Sequence, residues 1–244
     1  MFKTHFFFIA LLSMSVVVAG QSPYRLQAGR ESALGGVGLG LSVTSKFLLS
    51  DPVPFTASQL AGLDRNELKG ASYWAAGRWS PPTSRASDVL LYTSQALPVV
   101  LVLVDKNMRS DAFSLAVMYG EVTLLNYGLT EFTKKTVRRT RPFAWNPAVP
   151  IEEKMKPDAR ESFYSGHTSQ TAAMCFFAAS LYAEYRPDSR WKPVVWAAAA
   201  TLPAVTGFLR MNAGKHFPTD LLTGYVTGAA IGYFVPRLHR NPKR

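Results

Sequence analysis

The sequence predicts an all-α protein, a bundle of five or six membrane-embedded helices, and three observations carry that reading. Beyond residue 85 the chain alternates apolar stretches with short charged joints, and no period-2 alternation is long enough for a strand. Ser162 to Ala183 contains no Asp, Glu, Lys or Arg. Small residues recur in Ala197 to Ala200 and Gly224 to Gly232, which suits close helix contact in lipid.

The apolar stretches are Val89 to Val104, Ala112 to Thr130, Gln170 to Ala183, Val194 to Leu209 and Leu221 to Val235. Each falls a little short of the ~20 residues that cross a bilayer, and Glu121 interrupts the second. Buried helices of a soluble all-α domain are therefore the alternative, and a mean hydropathy of +0.03 speaks for it. Ala33 to Leu49 is apolar and Gly-rich but carries Lys46, so this sixth candidate spans, lies at the interface or packs on the others.

At 244 residues, 48% apolar and 18% charged, the chain suits one folded unit with a sizeable core. Lys3 followed by the uncharged run Phe6 to Val18 and then Ala19-Gly20 has the layout of a signal peptide over 1–20, with an uncleaved anchor as the alternative. Residues 21–85 read as an N-terminal segment with one possible helix and, from Ser50 to Ser87, a polar loop marked by Asp51-Pro52-Val53-Pro54 and Ser80-Pro81-Pro82-Thr83. The main domain is expected over 86–238 and a basic tail over 239–244. The single cysteine, Cys175, excludes an intramolecular disulfide and a cysteine zinc cluster. With four histidines (His5, His167, His216, His239) and no H-E-x-x-H pattern, no metal site and no cofactor are expected.

The net charge of +11 favours phosphate, nucleic acid or anionic lipid as a partner. It is concentrated between residues 134 and 160, where eight basic residues face three acidic ones. Lys134 and Arg141 are seven apart and share a face if the preceding helix continues through both. A solvated helix end or a headgroup anchor would use the same residues. Ser165-Gly166-His167 stands just before an uncharged helix, so its free N–H groups and positive dipole end suit an anion, with His167 beside it as a proton donor. Arg210, His216 and Asp220 straddle the last joint, where Pro218 starts a helix and a carboxylate can orient an imidazole. Capping and dipole roles would account for each of these residues taken singly.

Taken together, Lys134 with Arg141-Pro142, Ser165-Gly166-His167, and Arg210 with His216 and Asp220 resemble the three signature motifs of the type 2 phosphatidic acid phosphatase and vanadium haloperoxidase superfamily. The order, spacings and residue types agree from roughly Ala86 to Leu238. The resemblance implies a helical bundle in which Lys134, Arg141 and Arg210, with the backbone around Ser165 and Gly166, cradle a phosphoryl group. It further implies His216 as nucleophile forming a phosphohistidine, Asp220 as its orienting partner and His167 as the acid on the leaving oxygen, with no metal. Two positions depart from the pattern: Tyr164 stands where Pro is usual and Leu209 where Ser is usual. They bear on rate and substrate more than on reaction type.

The implied activity is hydrolysis of a lipid phosphate or polyprenyl pyrophosphate, in a bacterial cell envelope with the active site facing the periplasm. The alternatives are a soluble exported acid phosphatase and a silent basic membrane protein that binds anionic headgroups. A haloperoxidase would be a much longer chain. No reading helix or aromatic-bearing sheet supports nucleic-acid binding.

Overall fold

A computed structural model describes residues 22–242, so the leader expected at 1–20 lies outside the described residues. Among the described residues the fold is all-α. Five long helices correspond to the five apolar stretches, and each is extended at its ends: α4 (Pro81–Val104), α6 (Ala112–Val137), α8 (Gly166–Tyr185), α9 (Lys192–Asn212) and α10 (Pro218–Leu238). They run 20 to 26 residues because polar caps and first turns add to the apolar run. Ser80-Pro81-Pro82-Thr83, expected as a turn, is instead the start of α4: the Ser80 hydroxyl accepts the Thr83 N–H and both prolines occupy the first turn, where no N–H is needed.

The sixth candidate is a helix, α1 (Ala28–Val43), continued by a π-turn over Thr44–Leu48 and packed along α6. The polar region between them folds into short pieces, α2 (Ala57–Ala61) and α3 (Gly70–Ala76). α3 rests on a 3-10 turn at Pro142–Trp145. α5 (Lys106–Ser110) and α7 (Ile151–Lys154) are single turns at the joints. His239 and Arg240, placed by the sequence in a basic tail, are built into the bundle: His239 is fully buried and Arg240 bridges to Tyr24.

α8 is the central helix, surrounded by α4, α6, α9 and α10. Its partner α10 carries Gly224, Gly228 and Gly232 on one stripe. A Cβ at these positions would strike the Ser165, Ser169 and Ala173 carbonyls respectively. Both chains advance by four along that seam, so α8 and α10 run parallel with their N-termini at one end. α4 begins and α6, α9 and α1 finish at that same end, while His239 and the α5 turn lie at the other.

The outer helices are apolar on the outside. Val89, Leu103 and Val104 of α4, Val205 and Phe208 of α9, and Leu222, Val226 and Phe234 of α10 are all exposed. α4 and α9 are long and apolar enough to cross a membrane, and only 17% and 28% of their most apolar stretches are buried. In water such a surface would be a large contiguous patch; against lipid it is the expected finish.

Candidate active site

The motif end of the bundle gathers the residues singled out in the sequence. Ser165 caps α8: its hydroxyl accepts the Thr168 N–H, and its own N–H donates to the Asp220 carbonyl. The first-turn N–H groups of Gly166 and His167 have no acceptor within their helix. Gly166 fits because a Cβ there would sit 3.1 Å from Thr130 and 3.6 Å from the Lys134 ammonium.

α6 does not continue through both motif cations. It ends at Val137, and Arg138 takes a left-handed conformation at φ 49°. Arg141 therefore reaches the site from extended backbone, not from the face that carries Lys134. The chain reverses here because Pro142 opens the next turn and disfavours helix before it. Arg141 is buried, donating from Nε to the Asp158 carbonyl (2.7 Å) and from Nη1 to the Lys215 carbonyl (3.2 Å).

His216 is 1% exposed. Its Nδ1 donates to the Ser162 carbonyl at 2.7 Å, and Arg141 Nη1 lies 3.3 Å from Nε2. Both contacts set one tautomer, with the proton on Nδ1 and the lone pair on Nε2. Burial, and after it the charges of Arg141, Arg210 and Lys134, hold this imidazole well below its ordinary pKa. It is a neutral ring in a cationic pocket.

Asp220 does not hold His216 by a direct hydrogen bond. The closest approach, Oδ2 to Nδ1, is 3.8 Å. Its oxygens accept from the Ser162 hydroxyl (2.5 Å), the Phe217 N–H (2.8 Å) and Arg139 Nη1 (2.5 Å). The orientation passes through Ser162, whose hydroxyl meets Asp220 and whose carbonyl meets His216. Arg139 also stacks on Phe217, with 4.5 Å to the ring centre. Ser162 and Arg139 were not singled out in the sequence, and nothing in their spacing signals this relay.

His167 projects from the first turn of α8 and is only partly buried. Its Nε2 is 2.8 Å from Asp88 Oδ1. Asp88 is the main residue that sequence reasoning missed; its one signal was a carboxylate directly before the apolar run at Val89. Arg210, buried at the end of α9, donates from Nη1 to Ser84 (3.1 Å) and Ser87 (3.4 Å), and that nitrogen lies 3.9 Å from Asp88. Its Nε is buried with no hydrogen-bond partner. Lys215, also unremarked in the sequence, sits against the Phe143 and Trp79 rings. Burial, with Arg141 nearby, brings its ammonium down to about 8.

The family model described as the PAP2 superfamily matches residues 115–244. The chain belongs to the PAP2 superfamily. Relatives include a rat protein named Phospholipid phosphatase 1, 23% identical over 60% of this chain and 62% of its own length. Another is Phosphatidylglycerophosphatase B of Bacillus subtilis, 29% identical over 55% of this chain and 61% of its own. The chain thus spans about three fifths of each of these curated relatives. A solved transmembrane PAP2-type phosphatidylglycerolphosphate phosphatase from Bacillus subtilis aligns with a TM-score of 0.44 at 20% identity, over 85% of this chain and 94% of that one.

Within this PAP2 chain, Lys134, Arg141, Ser165, Gly166, His167, Arg210, His216 and Asp220 all lie inside the matched segment. Asp88, Ser84 and Ser87, on α4, lie before it. The two departures from the motif pattern have plain local accommodations. Tyr164 is buried and its hydroxyl accepts from Thr130 at 3.2 Å, while Leu209 is half-buried beside Arg210, whose hydroxyl partners come from α4 instead. The arrangement offers converging cations, free helix N–H groups and the His216 imidazole lone pair, a set suited to a tetrahedral dianion.

Proposed function

We propose that this PAP2 protein hydrolyses a lipid phosphate or polyprenyl pyrophosphate through a phosphohistidine on His216, with no metal in the reaction. The observation that carries the reading is the His216 ring: its Nδ1 proton is fixed on the Ser162 carbonyl and its Nε2 lone pair faces the Arg141 side. Nε2 attacks phosphorus, the bond from phosphorus to the leaving oxygen breaks, and His167 donates the proton that oxygen takes. Water then attacks phosphorus, the phosphorus–nitrogen bond breaks, His167 takes a proton from that water, and orthophosphate leaves with His216 restored. Lys134, Arg141, Arg210 and the Gly166 and His167 N–H groups meet the charge that spreads over the equatorial oxygens. Asp88 holds the His167 ring in place for both steps.

An apolar groove of about 400 Å³ supports an amphiphilic substrate. It runs between α9 and α10, lined by Gly207, Phe208, Met211, Leu221 and Tyr225, and reaches Thr168, next to His167. A substrate tail in that groove would leave its headgroup at the cations. The names of the relatives, which are lipid phosphatases, point the same way.

The end opposite the motifs carries Lys106, Arg109, Arg186, Arg190, Lys192, Arg237 and Arg240, which supports a cytoplasmic position for it and an outward-facing active site. α1 runs along α6 from the level of Glu121 toward the motif end, so if α1 also crosses, residues 22–27 fall on the inner side, where a cleaved leader would not leave them. Impermeant labelling of a cysteine placed between Asn146 and Ile151 in intact cells tests this; labelling only after lysis would reverse the orientation.

The deciding experiment is phosphate release from phosphatidic acid, a polyprenyl pyrophosphate and glycerol phosphate by the detergent-purified protein, in EDTA, with and without vanadate. Activity on the lipids that persists in EDTA and is blocked by vanadate, a mimic of the five-coordinate transition state, is expected. Activity restored only by Mg²⁺ would overturn the metal-free mechanism, and equal efficiency on glycerol phosphate would overturn the lipid preference.

A further inference from the structure

A second cluster of ionisable side chains lies at the other end of the bundle. Glu31 of α1, Glu121 of α6 and His239 after α10 bring one ligand atom each to within 4.8 Å of one another, although they are separated by up to 208 residues in the chain. His239 Nε2 is 3.1 Å from Glu31 Oε1 and 3.0 Å from Glu121 Oε2. Neither approach has hydrogen-bond geometry: His239 Nε2 and both Glu121 oxygens are buried and lack any hydrogen-bond partner. Glu121 is 5% exposed and His239 not at all. A buried carboxylate with no donor costs several kcal/mol unless a cation neutralises it.

We propose that Glu31, Glu121 and His239 form a binding site for one divalent transition cation of the zinc class. The ring is already prepared as a ligand. Its Nδ1 donates to the Val235 carbonyl at 2.8 Å, which turns the Nε2 lone pair toward the carboxylates, the usual arrangement behind a metal-bound histidine. Two carboxylates and one imidazole supply three ligands and leave a fourth position of a tetrahedral site open. The nitrogen–oxygen separations of 3.0 and 3.1 Å are close to the edge of a tetrahedron built on bonds of about 2 Å. Glu31 is held in turn by Arg30, which donates from Nε (3.1 Å) and Nη2 (2.6 Å) to the same Oε1 and also reaches the Leu238 carbonyl, and by the Gln27 N–H on Oε2. That arginine leaves the cluster with one net negative charge when the ring is neutral.

The site joins three elements: the start of α1, the middle of α6 and the end of α10. Its role is structural. It pins α1 to the bundle far from His216, so removing the ion loosens the fold without touching the reacting groups. Ionisable groups placed this deep among apolar helices are costly and seldom idle.

The test uses the full chain in detergent. Metal content by mass spectrometry, titration with Co²⁺ followed by its visible d–d absorption, and thermal unfolding with Zn²⁺ or EDTA are measured together. About one equivalent of metal, a tetrahedral cobalt spectrum and a melting temperature raised by Zn²⁺ are expected, with phosphatase turnover unchanged by EDTA. Glu31→Gln, at the more accessible edge, should weaken cobalt binding tenfold or more and remove the Zn²⁺ effect on melting; Glu121→Gln should abolish both. Wild-type protein that gives no cobalt spectrum and no Zn²⁺-dependent melting would overturn the proposal. That result is independent of how the Glu121 variant folds.

Discussion

Two buried histidines sit at opposite ends of the same bundle, and the fold prepares them identically. Each gives its Nδ1 proton to a backbone carbonyl, His216 to Ser162 and His239 to Val235, and each turns Nε2 inward. What differs is the company. His216 faces guanidinium and ammonium groups, whereas His239 faces two carboxylates. Under the two proposals above, the same lone pair serves an electrophilic phosphorus centre at one end and a metal cation at the other. A histidine's role in this molecule follows from its electrostatic surroundings, because its burial and tautomer are the same in both places.

The largest effect should come from removing the motif-end ring. His216→Ala is expected to lower turnover by about 10⁴-fold or more with helix content unchanged, since no other nucleophile is in place. Glu31→Gln at the other end should leave turnover at the wild-type level. Near-normal activity in the His216 variant would erase the contrast between the two ends.

Next in size is Arg210→Gln, which removes a cation whose Nε is buried without a partner. A fall in turnover of roughly 10²- to 10³-fold is expected, the usual scale for one donor to a transition-state oxyanion, together with weaker vanadate inhibition. Loss of affinity with turnover intact would mean that Arg210 serves ground-state binding alone.

The relay through Ser162 makes a sharper claim. Ser162→Ala and Asp220→Asn should each reduce turnover about 10- to 100-fold with little change in KM, and the double variant should be no worse than the more severe single one. Additive losses would show that Asp220 acts on His216 by a second route.

The smallest expected effect is a pH dependence. Lys215 loses its proton at about 8 in the folded protein, below its ordinary 10.5. As pH rises through 8 the site loses one positive charge, so KM for a phosphate dianion should rise above that point. Lys215→Arg keeps the charge and should remove this alkaline limb. The depressed His216 pKa carries the opposite sign: its lone pair stays available as pH falls through 6.5, and the acid limb from this group lies lower. An alkaline limb unchanged in the arginine variant would assign it to another group.

What the sequence made legible was local. Ser165-Gly166-His167 and the Arg210 to Asp220 joint are short stretches in which capping residues, a proline and the chemistry stand together, so their arrangement follows from helix geometry alone. The five apolar stretches were legible for the same reason. Asp88, the Ser162 relay and Arg139 depend on contacts 54 to 81 residues apart in the chain, which no spacing rule reports. The most distant assembly was the least visible. Glu121 stood out only as an interruption of an apolar run, and His239 only as the first residue of a tail. α6 failed to reach Arg141 because the turn at Arg138 and Pro142 overrode the periodicity that would have carried the helix onward.

The parallel seam between α8 and α10 has a further consequence. Glycines at 224, 228 and 232 bring two like-directed helices into close contact, so their positive ends lie side by side with α4's and with four basic side chains at the same end. The fold carries a local excess of positive charge there, offset only in part by Glu131 beside Lys134, Asp158 beside Arg141 and Asp88 beside Arg210. An anion seated among the cations would offset the rest, and so act as a keystone for the folded state as well as a substrate. Phosphate or vanadate at one hundred times its dissociation constant would then contribute about 2.7 kcal/mol of stability, drawn from strain that the helix packing itself creates.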